Sequence, residues 1–562
     1  MMGVLTLMTF DIVISYFKNK DTIDKLLNSI ADQDTKDYTV VIVVDGKEEN
    51  IEDINYLHSL SNIVDFDLIV LPENKGAAHA RNVGARAGNN DILFFIDGDC
   101  QLYPGMITEC MDQLDDNPDI MFVYGNYRFD QKYEFFSQPF DKDALSTMNY
   151  VCTMSPIRRN VFEFVKGFRE DEEFFQDWSL FYRVAKAGFK GKYINEFIFS
   201  TTYPTEASIS GTKGLSLSEK SKIFREKQGI PDRELVVTTF AAPLQARQRA
   251  LMLDADYIGP IPNSRRQIVP SNLCYTNWKA TYFIGCFNAP VEALTNHYSA
   301  GYKKSIYHFI GTDVWQLRNM HSIAEVEEIR NIFKMSKTVL LANSPRMVDE
   351  LAGLGIKAEL LYSPIYDIER FVPLKETPKK KRVAVYFSNT PNMNAIDGAD
   401  GLSHLPFILD IARSMPDIDF VFFGDDKRAF LKKDDSVKFR SKNLIFEGKV
   451  KSEDMPTFIN SCNMYLRFTR HDGFPHLPIQ FMACGRKALV SVPDPEFKFA
   501  EKIPFEALNN YGEDKGWLMD KIYTMVNTNN YPDAIKVKDY YQRLMSLSKY
   551  KKRIYEIVRS FK

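Results

Sequence analysis

Residues 91–100 read Asp-Ile-Leu-Phe-Phe-Ile-Asp-Gly-Asp-Cys. Ile92 to Ile96 form an unbroken apolar run with the length and composition of a strand buried on both faces. Such strands belong to parallel α/β sheets, whose ligands sit beyond the carboxyl ends of the strands. The run stops at Asp97 and Asp99, with Gly98 able to turn the backbone so that both carboxylates face one point. Carboxylate oxygens suit a hard divalent cation that keeps positions open for water and phosphate. Taken alone, the triplet is more simply a solvated Asp-Gly-Asp turn.

The neighbouring sequence reverses that balance. Asp11 to Phe17 (DIVISYF) and Val40 to Gly46 (VVIVVDG) are two more apolar runs, and Asp21 to Gln33 between them has room for a helix. The alternation predicts parallel βαβ units, with Asp45 at the end of the second run facing the same crevice as Asp97 and Asp99. Asn74 to Gly88 (NKGAAHARNVGARAG) predicts a helix start rich in small residues, where Arg81 and Asn82 could meet an anion. A tightly packed helix with Ala77, Ala80, Val83 and Ala87 against the sheet is the plainer reading, and the two suit different faces.

These elements resemble the family 2 glycosyltransferases over residues 1 to about 225. The family pattern is matched in order by Ser15-Tyr16, Asp45, Asn74 to Asn82, Asp97-Gly98-Asp99, Gly167-Phe168-Arg169-Glu170, Gln176-Asp177-Trp178 and Arg183. The resemblance implies a GT-A nucleotide-sugar-binding fold and an inverting transfer. It implies that Ser15, Asp45, Gly76 and Arg81 line the nucleotide pocket, that Asp97 and Asp99 hold Mn²⁺ or Mg²⁺ on the diphosphate, and that Asp177 is the catalytic base. A UDP-sugar is the expected donor. The chemistry agrees, because an acceptor hydroxyl must lose a proton and a leaving diphosphate needs cationic help. For Asp177, a helix cap ahead of Trp178 is the competing structural role.

The sequence departs from the family at two places. Ser15 and Lys18 stand where a proline and an asparagine are usual, and Tyr203 to Ala207 (YPTEA) lacks the late histidine many members give to the metal. Glu206 or a water would have to take its place.

At 562 residues the chain exceeds this one region, and a prior of roughly 150 residues per domain suggests three or four compact units. With 45% hydrophobic and 26% charged residues it reads as globular throughout. A net charge of −3 argues against nucleic-acid binding by bulk electrostatics. The cysteines at 100, 110, 152, 274, 286, 462 and 484 show no zinc or CxxC spacing, which favours free thiols in a reducing cytoplasm. The apolar start, MMGVLTLMTFDIV, lacks a basic segment and reads as part of the first strand. No apolar run approaches the roughly 18 residues of a membrane span, so a lipid-linked acceptor would be met by peripheral membrane contact.

Thr212 to Asp232 reads as a helix and linker, after which βα alternation resumes at Glu234. Strands are expected at Leu235 to Thr239, Ala280 to Gly285, Ser305 to Ile310 and Val339 to Ala342. After the basic join Pro373 to Lys381, more follow at Arg382 to Phe387, Phe420 to Gly424, Leu444 to Phe446 and Met464 to Phe468. With His308 to Asp313 (HFIGTD), Phe422 to Asp425 (FFGD) and above all Asp472 to Gly485 (DGFPHLPIQFMACG), this half resembles a family 4 glycosyltransferase. The implied fold is GT-B-like, a pair of Rossmann-like lobes. The expected division is 1–225 for the GT-A domain, 226–378 for the first lobe and 379–562 for the second lobe with terminal helices.

In the second half the family's two signature acids are replaced by Asp472, implied to be catalytic, and Gln480, which with Gly473 would touch the donor. Glutamine keeps hydrogen bonding but loses charge. His308 is a candidate for touching donor or acceptor, with a buried, satisfied histidine the equal alternative. The basic, amphipathic stretch Tyr540 to Lys562 reads first as a packed terminal helix and second as a membrane-docking one. The whole reads as a two-module transferase acting in surface polysaccharide biosynthesis, inverting and metal-dependent in the first module; the second is either a further, retaining transferase, which would make the chain bifunctional, or a degenerate lobe that binds acceptor without catalysis. A viral DNA-base glycosyltransferase, with nucleic acid as a disfavoured partner, is one alternative. A non-catalytic carbohydrate-binding scaffold built from decayed transferase folds is another.

Overall fold

The computed structural model describes residues 9–130, 133–202, 215, 217–239, 243–260, 278–285, 304–319, 321–335, 337–374, 378, 380–386, 405–424, 441–469, 473–491, 494–503 and 515–561. They fall into two compact units. The first takes Met1–Thr238, Asp254–Lys279 and Ala289–Tyr302, and the second Thr239–Leu253, Ala280–Asn288 and Lys303–Lys562.

The first unit begins as β1 (Phe10–Tyr16), α1 (Ile23–Ala31), β2 (Tyr38–Val44), α2 (Ile51–Ser59), β3 (Asp67–Val70), α3 (Ala77–Ala87) and β4 (Ile92–Asp97). Strands β3, β2, β1 and β4 lie side by side and parallel, as their apolar runs predict. Ile12, Ile14, Ile42, Phe94 and Ile96 meet Leu26, Leu27 and Ile30 of α1 on one face. Val41 and Val43 meet Ala80 and Val83 of α3 on the other. Both faces are therefore dry, which is why alternation is absent from these strands.

The chain continues with β5 (Gln101–Leu102), α4 (Met106–Asp115), β6 (Ile120–Phe129), β7 (Tyr133–Phe135), α5 (Lys142–Leu145), β8 (Ile157–Arg158), α6 (Arg159–Phe164), α7 (Gln176–Lys186) and β9 (Lys190–Thr201). The sheet runs β3-β2-β1-β4-β8-β6-β9-β5, with β7 paired to β6, and β8 is antiparallel to both neighbours. This is a mixed α/β fold in which the parallel half supplies strand ends and the mixed half supplies α7 and β9. The segment expected as a linker helix forms α8 (Leu217–Gln228) and packs on the first unit. Phe224 stacks on Trp178 with ring centroids 4.0 Å apart, and Gln228 Nε2 donates to Glu172 Oε1 at 2.9 Å and Ser179 Oγ at 3.1 Å.

In the second unit, strands Ala280–Ile284, Lys304–Phe309, Lys337–Ala342 and Glu359–Leu360 pair in parallel in that order. A second parallel sheet holds Arg382–Tyr386, Asp419–Phe423, Leu444–Gly448, Met464–Arg467, Lys487–Val490 and Glu501–Lys502. Numbered by appearance, its order is 3-2-1-4-5-6, the doubly wound arrangement. Terminal helix Leu547–Ser560 buries Tyr550, Ile554, Ile557 and Val558 in its own unit, so the packed reading of this stretch holds for its apolar face. Cys100, Cys110, Cys152, Cys462 and Cys484 are free thiols, and Cys274 and Cys286 lie outside the described residues. Among the described residues no helix is long and apolar enough to cross a membrane.

Candidate functional site

Because β1, β2 and β4 are parallel and adjacent, their carboxyl ends share one edge, with Ser15 opposite both Val43 and Asp97. Asp45 follows β2 and is buried. Its Oδ1 accepts the Lys75 N–H and its Oδ2 the Gly76 N–H, each at 2.8 Å. Gly76 caps α3 with φ +90°, a backbone region glycine enters without strain, and a Cβ there would meet nothing within 4 Å. Asp45 thus fixes the loop before α3 and leaves open space above its first turn.

Arg81, one turn into α3, is the hub of the site. Its Nη2 lies 2.6 Å from Asp97 Oδ1 and its Nη1 3.0 Å from Gln176 Oε1. Its guanidinium carbon sits 5.3 Å from the centre of the Phe168 ring, and Ser15 Oγ donates to the same Asp97 oxygen at 3.3 Å. One rigid planar fork therefore ties the end of β4 to the start of α7, a geometry lysine could not supply. Neighbouring Asn82 anchors the 167–170 segment: its Nδ2 donates to Phe168 O at 2.8 Å and Glu170 Oε1 at 2.9 Å, and its Oδ1 accepts Phe168 N–H at 3.0 Å. Arg183 donates to the carbonyls of Val165 and Gly167, so it braces that segment from the other side.

Asp177 is the second residue of α7. Phe175 occupies the cap position, without a side-chain cap bond, so Asp177 does not cap the helix. Its Oδ1 accepts the Trp178 N–H at 2.8 Å. Burial pushes its carboxyl above the ordinary range; the Trp178 N–H, Asn149 and Arg81 oppose that shift, and the nearby Asp97 charge adds to it. Asp177 therefore feels both Arg81 and Asp97, and all belong to one electrostatic neighbourhood.

Asp99 reaches the other way. Its Oδ2 accepts the Thr201 hydroxyl at 3.1 Å and the Thr202 hydroxyl, both from the end of β9, while the Cys100 thiol approaches Oδ1 at 3.9 Å. One oxygen of Asp97 and one of Asp99 are thus bound by protein hydroxyl or guanidinium donors. Among the described residues no three His, Cys, Asp or Glu side chains gather as a ready metal cage. An all-oxygen pair at a strand end fits a divalent cation that shares its coordination with water and phosphate. Residues 203–207, where Glu206 falls, lie outside the described residues.

Sequence reading missed three partners. Gln176 sits 95 positions from Arg81, and nothing local signals that pairing. The hydroxyls of Thr201 and Thr202 are likewise far in sequence from Asp99. In the second unit Asp472 lies outside the described residues. Gly473 sits so close to Ile310 that an added Cβ would overlap the Ile310 carbonyl oxygen, and Gln480 is partly exposed on helix His476–Ala483. His308 is buried with both nitrogens engaged, Nδ1 by Tyr282 OH at 2.6 Å and Nε2 by Leu361 O at 2.9 Å, which is the satisfied-histidine alternative.

Residues 11–170 match the family model described as "Glycosyl transferase family 2". The chain is 25% identical over 227 residues to an uncharacterized glycosyltransferase of Haemophilus influenzae, covering 38% of this chain and 75% of that one. It is 24% identical over 223 residues to the Escherichia coli UDP-Glc:alpha-D-GlcNAc-diphosphoundecaprenol beta-1,3-glucosyltransferase, covering 38% and 84%. The share spanned varies among such relatives, from 27% of the Staphylococcus epidermidis teichoic acid poly(glycerol phosphate) polymerase to the 84% just given. Among solved structures, Staphylococcus aureus TarS 1–349 in complex with UDP-GlcNAc aligns at 12% identity and TM-score 0.33, covering 58% of this chain and 82% of that one. The chain carries a family 2 glycosyltransferase domain at its N-terminus and is an enzyme of the glycosyltransferase kind.

Proposed function

We propose that the first unit transfers a sugar from a nucleoside-diphosphate donor, UDP-linked in the first instance, to an acceptor hydroxyl with inversion at the anomeric carbon. The observation that carries this reading is the Arg81 fork, which joins Asp97 at 2.6 Å to Gln176 at 3.0 Å and so sets Asp177 beside the strand-end acids. Ser15, Asp45, Gly76 and Arg81 would frame the nucleotide, with the open space over Gly76 admitting it. Asp97 and Asp99 would hold Mg²⁺ or Mn²⁺, which supplies positive charge to the leaving diphosphate when bound. Asp177 would accept the acceptor's proton as the oxygen attacks, and burial raises its basicity toward the working pH.

The acceptor is proposed to be a lipid-linked or growing surface glycan. The E. coli relative, named for a diphosphoundecaprenol-linked acceptor, supports that choice. The second unit is proposed as a GT-B-like module for a further, retaining transfer. Its parallel sheets and the close approach of Gly473 to Ile310 support it.

Hydrolysis of UDP-sugars by the purified full chain in Mn²⁺ tests the first assignment. Activity is expected to vanish on chelation, return with added Mn²⁺ or Mg²⁺, and be absent from Asp99→Ala. Turnover that survives exhaustive chelation would overturn the roles given to Asp97 and Asp99.

A further inference from the structure

Helix α8 reads in sequence as part of a linker, yet its contacts converge on the two residues that open α7. Lys220, Ser221, Phe224, Arg225 and Gln228 share one side of α8 and are buried, a largely polar face that a mere tether would leave in water. Arg225 pins the helix to Asp256, Nη2 to Oδ2 at 2.9 Å with both side chains buried, and Asp256 also accepts the Trp278 Nε1–H at 2.7 Å. Phe224 lies stacked on Trp178, and Phe175 stands edge-on to both rings, 5.3 Å from Trp178 and 6.2 Å from Phe224. Trp178 is fully buried and donates its Nε1–H to Leu145 O at 2.6 Å, while its backbone N–H is the donor to Asp177 Oδ1. Gln228 holds the Glu172 side chain, and the Glu172 carbonyl accepts the Gln176 Nε2–H at 2.8 Å, which turns Gln176 Oε1 toward Arg81.

The entry to α7 needs such support. Phe175, its cap residue, has φ 57° and ψ 34°, a left-handed conformation that a bulky residue keeps only where its surroundings impose it. Directly after that residue come Gln176 and Asp177, the one bonded to Arg81 and the other within the field of Arg81 and Asp97. We propose that Phe224 and Gln228 are positioning residues for the transfer reaction. Phe224 locks Trp178 and through it the Asp177 carboxylate; Gln228 orients Gln176 through Glu172. Both act through α7 and not on the reacting atoms. The inference rests on Asp177 being the base, and it extends the working transferase unit through Gln228. Both residues lie beyond 11–170, the stretch that matches the family model, and all the groups named belong to the first unit.

The test is steady-state hydrolysis of a panel of UDP-sugars in Mn²⁺ by the full chain, with UDP and Mn²⁺ binding read separately by thermal shift. Phe224→Leu keeps apolar bulk and gives up the ring stack; it should lower kcat by about 10–10²-fold and leave KM within about twofold. Its acid limb should move down toward the ordinary carboxylate range, because loosened packing lets water reach Asp177. Phe224→Tyr, which keeps the ring, should retain most of kcat. Gln228→Ala removes no apolar packing and should lower kcat with KM unchanged, independently of the stack. UDP with Mn²⁺ should raise the unfolding temperature of each variant as it does in wild type. Wild-type kinetics in Phe224→Leu and Gln228→Ala, beside an inactive Asp177→Asn, would overturn this inference alone. Wild-type turnover in Asp177→Asn would take away the base on which it rests. A fall in kcat that comes with loss of UDP binding, or with an unmoved acid limb in Phe224→Leu, would make the contacts purely structural and overturn it as well.

Discussion

Asp177 couples activity and stability with opposite signs. Its carboxyl is raised chiefly by burial, so the folded state holds the proton more tightly than the unfolded chain does. The stabilising contribution is full below the unfolded value and is lost as pH rises through the folded one. Activity runs the other way, because a base must be ionised to accept a proton. We therefore expect the acid limb of the pH–rate profile to lie above the ordinary carboxylate range. Asp177→Asn should lower kcat by about 10²–10⁴-fold yet unfold at a higher temperature than wild type at neutral pH. Loss of both activity and stability would make Asp177 a structural acid. Arg81 poses a different test, since its two contacts at 2.6 and 3.0 Å depend on a planar fork and not on charge alone. Arg81→Lys should reduce kcat/KM by up to about 10²-fold, the scale of a misplaced catalytic group, with the fold intact by circular dichroism. Near wild-type kinetics would remove the fork from the mechanism.

Element α3 carries the site because it lies flush on the sheet. Gly84 faces β1 and β2, where an added Cβ would overlap Val13 Cγ1 and come within 3.1 Å of Val43 Cγ2. Gly84→Ala should cost about 1–3 kcal/mol by overpacking and lift Arg81 off Asp97, which denaturant unfolding and steady-state kinetics would read together. A stable, active variant would show that the contact yields without moving Arg81. This packing also explains what the sequence disclosed. Apolar runs specify doubly buried strands, so Phe10–Tyr16, Tyr38–Val44 and Ile92–Asp97 fall within two residues of expectation, and Asp45, Asp97 and Asp99 follow from where those runs stop. The small residues of α3 likewise announce a close approach. Pairings across the fold leave no such trace: Gln176 meets Arg81, and Thr201 meets Asp99, only because α7 and β9 are carried back by the mixed half of the sheet.

For the whole molecule, two compact units each with its own buried clusters imply separate cooperative cores. The first is held by the isoleucine-rich faces of β1, β2 and β4, and the second includes clusters around Phe420 and Phe422 and around Tyr465 and Phe481. A chain with two such cores should not unfold as one two-state system. Calorimetry of the intact protein is expected to resolve two transitions. A ligand stabilises only the unit that binds it, so UDP with Mn²⁺ should raise the transition that Asp177→Asn also raises. A single transition that UDP and Asp177→Asn shift as one would mean that the cores melt together and that ligand in one unit is felt throughout the chain. Two transitions with UDP acting on the one that Asp177→Asn leaves unmoved would take the nucleotide pocket away from Ser15, Asp45 and Arg81.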